Sequence, residues 1–130
     1  MIMMRKALAT IVVVAAAAVM LAAQAPGLAG PSVPADVSAP PADAEKTASG
    51  LISRAITPGA SAEQPMPTDY VTVHYTAWTD DGETVDSSWS RGAPPMFPLD
   101  RSLAGWRECV QLMTVGETRR CWVPQRLAYN

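Results

Sequence analysis

From Tyr70 to Thr76 the chain alternates, with Val71, Val73 and Tyr75 on one face and Thr72, His74 and Thr76 on the other. That is the period-two pattern of a half-buried strand. Asp80-Asp81-Gly82 supplies turn residues, Gly82 tolerating positive φ. Glu83 to Ser88 then reads as the return strand, with Val85 inward. Upstream, LISRAIT from Leu51 to Thr57 is half apolar and stopped by Pro58-Gly59, which suits a first strand. Downstream, Arg91 to Pro95 forms a surface turn or bulge, and Met96 to Leu99 is a brief apolar segment. Leu103, Trp106, Val110 and Met113 recur at helical spacing, so one face of a short helix packs on the sheet. Gly116 is placed to stop that helix in the left-handed conformation. Arg119 to Pro124 alternates again, Cys121 and Val123 inward, Arg120 and Trp122 outward. Together these predict an α+β fold, an antiparallel sheet covered on one face. Trp78, Trp89 and Trp122 are expected on the surface, half exposed.

The amino terminus follows a different pattern. MIMMRK carries two positive charges, and Ala7 to Ala23 is unbroken by any charge. A basic start, an apolar run and small residues after it are the layout of a secretory signal, assigned here to residues 1–29. Cleavage after Ala25 is disfavoured by Pro26, and Ala29 before Gly30 is the alternative. An uncleaved anchor is the competing reading, although the run falls short of the ~20 residues that span a bilayer. Residues 30–49 are rich in Pro, Ala and Ser without hydrophobic period, which predicts a flexible, disordered linker. A folded domain is expected over residues 50–130.

Composition narrows the function mainly by exclusion. The apolar fraction of 48% is inflated by the first thirty residues, and the net charge is −2. Arg119-Arg120 is a solvated pair and not a nucleic-acid footprint, so nucleic acid is not an expected partner. The one histidine, His74, sits on the polar face of its strand, and no metal role is assigned. No GxSxG, HExxH, phosphate-binding glycine loop or CxxC is present. Cys109 and Cys121 are twelve residues apart. Export would permit a disulfide between them, and burial as two small core residues is the alternative. What remains is an aromatic-rich apolar cluster with one acid, Asp86. By themselves Tyr75 and Trp106 fit a core better than a site, and Asp86 could cap a turn through Ser87 or Ser88.

The ordered set VTVHYTAWTDDGETVDSSWSRGAPPMFPL, LAGWRECVQLMTVGETRRCWVP and LAYN resembles the FKBP-type peptidyl-prolyl cis-trans isomerase family. That family's pattern is a VHYTG strand, a DG turn, an FDSS strand, a Pro-rich bulge, an IxGWxEG helix, a MxxGE turn and an AYG ending. The resemblance covers about Gly50 to Asn130. It implies a twisted antiparallel sheet wrapped around one short helix, with an aromatic cup between them. By position, Tyr75, Asp86, Trp106 and Tyr129 would be catalytic, the substrate proline lying over the Trp106 indole. Val85, Arg91, Phe97, Ser102 and Leu103 would complete the substrate site. Asp86 would accept hydrogen bonds from Tyr75 and Arg91, while the Leu103 N–H and the Tyr129 hydroxyl would hold substrate carbonyls.

Departures from the pattern are Ala77 for the glycine after YT, Val85 for the FDSS phenylalanine, Pro95 for an aromatic, Cys109 for the EG glycine and Asn130 for the last glycine. The family pattern continues past this point, so an incomplete domain with an unpaired sheet edge is expected. The implied function is isomerisation of X-Pro bonds in extracytoplasmic polypeptides by a monomer without cofactor. It would act in the periplasm or outside the cell, with membrane contact only through an uncleaved amino terminus. A non-catalytic proline-peptide-binding module and a non-functional fragment are the alternatives.

Overall fold

The computed structural model describes residues 9–14 and 30–128. In chain order the strands are β1 (Ala9–Val14), β2 (Glu45–Lys46), β3 (Ile52–Thr57), β4 (Tyr70–Thr72), β5 (His74–Trp78), β6 (Thr84–Ser87), β7 (Met96–Pro98) and β8 (Thr118–Val123). Helix α1 spans Ala104–Gln111 and α2 spans Gln125–Ala128, with single 3-10 turns at Trp89–Arg91 and Leu99–Arg101. Six strands form one antiparallel sheet in the order β2-β3-β8-β1-β5-β6, and β4 pairs with β7 in a separate two-stranded sheet. The chain is therefore α+β.

The alternating run from Tyr70 to Thr76 is divided between these two sheets. Val73, 1% exposed, lies at the division, and its N–H donates to the Pro95 carbonyl at 3.2 Å. β4 thereby turns Val71 toward Phe97 of β7, while β5 continues into the large sheet. The hairpin turn closes as expected, with Gly82 at φ +91° and the Thr79 N–H donating to the Glu83 carbonyl at 2.8 Å. Gly116 also has positive φ, +84°. It lies five residues beyond α1, however, in the turn that feeds β8, so it does not stop the helix.

On one face of the large sheet, α1 buries Trp106, Cys109 and Val110 against Leu51, Cys121 and Val123. Alternation of side chains explains why Cys121 and Val123 face this core. Gly105 permits the close approach, because a Cβ there would collide with the Val123 side chain and lie 3.1 Å from the Leu127 carbonyl oxygen. Cys109 and Cys121 form a disulfide with Cα atoms 6.3 Å apart, tying α1 to β8.

The second face is covered too, which corrects two expectations. Trp78 and Trp122 are not half exposed but 1% and 0% exposed. Val37 packs on Trp78, the Trp122 Nε1–H donates to the Asp36 carbonyl at 3.0 Å, and Asp36 forms an ion pair with Arg120. Trp89 is intermediate and stacks on His74 with ring centroids 4.0 Å apart. Residues 30–49, expected as a disordered linker, thus carry a turn at Pro34–Val37 and the strand β2 paired to β3. Local composition offers that segment too little apolar area to order itself; the tryptophans of the sheet provide the missing partner surface.

β1 is the other departure. Ala9–Val14, inside the run assigned to a signal or anchor, lies between β8 and β5 and pairs with both. Thr10-Ile11-Val12-Val13-Val14 is a block of five β-branched residues, the composition of a central strand. The edges of β5 and β8 are accordingly paired, whereas an open edge was expected. The remainder of residues 1–29 lies outside the described residues. Among those described, no helix is long and apolar enough to cross a membrane.

Candidate functional site

The cup is assembled from β5, β6, β7, the 3-10 turns and the start of α1. β5 contributes Tyr75 and Ala77. Opposite it, the register of β6 jumps from Asp86 to Thr84, leaving Val85 as the extra residue of a bulge. A bulge re-aims side chains, and here Val85 and its neighbour Asp86 both line the same cavity, of about 430 Å³. Phe97 enters from β7 and Trp106 from the first turn of α1. The Tyr75 ring meets the indole edge-on, at 4.9 Å and 79° between planes, and Phe97 tilts against it at 5.5 Å and 51°. Both are favourable aromatic geometries.

The polar wall is a closed set. Tyr75 Oη–H donates to Asp86 Oδ2. The Arg91 guanidinium donates to Asp86 Oδ1 through Nη1 and to Tyr75 Oη through Nη2, both at 2.7 Å. Arg91 reaches back because the turn at Trp89–Arg91 folds the chain over, Gly92 following at φ +79°. Asp86 Oδ1 also accepts from the Ser87 N–H at 2.8 Å, so the turn-capping contact and the site contact coexist. Burial raises the Asp86 carboxyl, but the bonds from Arg91 and Tyr75 outweigh it and hold the group below the usual carboxylate range. Burial, then the bond to Asp86, raises the Tyr75 phenol. The carboxylate is therefore ionised, with both of its oxygens accepting hydrogen bonds.

Of the residues singled out from sequence, Tyr75, Val85, Asp86, Arg91, Phe97, Ser102, Leu103 and Trp106 all line this one cavity. Tyr129 lies outside the described residues. Leu103 is 48% exposed at the mouth, not buried on the helix face where its spacing placed it. Ala77, Pro95, Pro98 and Arg101 also line the cavity and were not among the expected site residues. Alternation with Tyr75 could have found Ala77; no local signal marks Arg101.

Residues 61–130 match the family model of FKBP-type peptidyl-prolyl cis-trans isomerase. The chain belongs to this family. It is 44% identical over 86 residues to the FKBP-type peptidyl-prolyl cis-trans isomerase FkpA of Aeromonas hydrophila, covering 66% of this chain and 32% of that protein. It is 41% identical over 82 residues to the outer membrane protein MIP of Legionella longbeachae, covering 63% and 35%. The crystal structure of FkpA from Escherichia coli superposes with a TM-score of 0.65 at 30% identity, over 69% of this chain and 42% of that one. The match thus spans about a third of these two curated relatives.

Proposed function

We propose that this chain catalyses cis–trans isomerisation of X-Pro bonds in polypeptide substrates. The observation that carries the reading is the apolar aromatic cup floored by Trp106 and walled by the Tyr75–Asp86–Arg91 set. Rotation about the peptide bond costs ~18–20 kcal/mol because the amide loses resonance. Water stabilises the charge-separated planar amide, so transfer of the bond into an apolar cup favours the twisted state. In this reading the proline ring rests on Trp106 between Tyr75 and Phe97, and Val85, Ser102 and Leu103 bound the neighbouring backbone. The Leu103 N–H and the Tyr129 hydroxyl hold substrate carbonyls. Asp86 fixes Tyr75 and Arg91 and transfers no proton, consistent with a lowered pKa and a carboxylate paired to Arg91.

The test is catalysis of a proline-limited refolding reaction by the full chain. A rate gain that falls at least tenfold in Trp106→Ala is expected. Binding of a proline peptide without any rate gain would instead identify a binding module.

We further propose that the protein acts outside the cytoplasm as a monomer. The basic and apolar amino terminus, a disulfide of the kind that persists in oxidising compartments, and the name of the Legionella relative support export. Mass and amino-terminal sequence of the protein recovered from cell fractions test this.

A further inference from the structure

We propose that Arg101 selects substrates with a carboxylate beside the proline, an inference that rests on the cup being the peptide site. The residues lining the cavity include two arginines, Arg91 and Arg101, and one acid, Asp86. Arg91 and Asp86 neutralise one another at 2.7 Å. Arg101 has no hydrogen-bond or ion-pair partner among the described residues, so the mouth of the cup keeps one uncompensated positive charge.

Its position is held by the backbone. Arg101 closes the 3-10 turn Leu99–Arg101, in which Leu99 is fully buried. The Leu99 N–H donates to the Asp69 carbonyl at 2.9 Å, and the Ser102 N–H to the Leu99 carbonyl at 3.2 Å. The turn therefore presents the side chain from a fixed point next to Pro98, Ser102 and Leu103 of the lining. The remainder of the wall is largely apolar, where a guanidinium–carboxylate contact is less screened than in open water. The planar donor fork of arginine also suits bidentate pairing with a carboxylate. A substrate bearing Asp or Glu next to its proline brings that partner; one bearing Lys is repelled.

The experiment measures kcat/KM and Kd of the full chain for peptides with Glu, Gln or Lys placed immediately before, then immediately after, the proline. The expected order is Glu over Gln over Lys at one of the two positions, with about three- to fivefold per step, the range of a rim charge pair. Addition of 1 M salt, which shortens the Debye length to about 3 Å, compresses the order. Arg101→Glu inverts it, an outcome that misfolding cannot produce. Equal values for Glu and Lys peptides, or a preference that Arg101→Glu leaves unchanged, overturns the proposal while turnover itself stands. Charge-ordered Kd values without turnover uphold Arg101 and remove the isomerase reading. Failure of every peptide to bind overturns both.

Discussion

Two titrating residues on neighbouring strands, Asp86 of β6 and His74 of β5, respond to different acidities. Asp86 is held below the usual carboxylate range by Arg91 and Tyr75 despite partial burial. Its contribution to stability is present above its ordinary pKa of 3.8 and is lost as pH falls through the lower folded value. The cup set therefore persists through mildly acidic conditions. His74, by contrast, is lowered from 6.5 by burial; its Nδ1 lies 2.9 Å from Ser88 Oγ and its ring is stacked on Trp89. An unfolded chain takes up that proton before the folded one does. Stability should thus decline as pH drops below 6.5, until the lowered folded value is passed. Thermal unfolding midpoints measured across this window should show the decline in the wild type. His74→Gln should flatten it, leaving only the carboxylate-linked loss at lower pH; a slope that survives the substitution would assign it to another group.

At the scale of elements, α1 is the piece on which the cup depends, since Trp106 projects from its first turn. The helix has eight residues and no side-chain cap at its start. Isolated helices of this length are marginal, so its order comes from tertiary ties. Cys109 is bonded to Cys121 of β8, and both are fully buried. Glu108 accepts hydrogen bonds from Thr47 and Ser49, in the turn between β2 and β3. A twelve-residue cross-link contributes about 3 kcal/mol in the loop-entropy account. Cys109→Ala with Cys121→Ala should lower the urea midpoint by an equivalent amount and weaken peptide binding by loosening the floor of the cup. Unchanged unfolding in the double variant would show that packing alone holds the helix. A second tie runs beneath the sheet: Arg119, 8% exposed, donates to Glu117 at 2.5 Å and to Ser53 at 3.0 Å, joining the turn after α1 to β3. Sequence spacing alone made this pair of arginines look solvated. In fact Arg119 is buried and paired, with Glu117 two residues before it and with Ser53 of β3 and Glu45 of β2, which sequence spacing does not bring near.

For the molecule as a whole, the proposed export and the strand β1 make opposing demands on the amino terminus. Ala9–Val14 pairs with β8 over six positions and with β5 over five. Removal of residues 1–29 on export would leave both of those strands with unsatisfied N–H and C=O groups along a shared gap. A chain beginning at Gly30 should therefore unfold at a lower temperature than the full chain. Amides in 74–78 and 118–123 should lose hydrogen-exchange protection first. Equal protection in the two forms would show that β1 adds nothing to the sheet's stability.

Much of the domain was legible because its signals are local. The Gly82 hairpin turn, the apolar run of β3, the helical spacing of Trp106, Val110 and Met113, and the alternation of Cys121 and Val123 each depend on neighbours within a few residues. The ordered motifs also point to eight residues that share the one cup. What tertiary structure alone decided involves surfaces from distant parts of the chain. The period of Tyr70–Thr76 could not reveal that Val73 divides two sheets, since alternation is the same in both. The Pro- and Ala-rich segment looked unable to order itself because the faces of Trp78 and Trp122 that receive it lie some 40 to 90 residues away in sequence. Apolar β-branched residues suit a signal core and a central strand equally, so only the tertiary structure showed Ala9–Val14 paired on both sides. Arg101, finally, is one exposed arginine in a turn until the fold sets it in the lining of the cup, where its charge has no partner among the described residues.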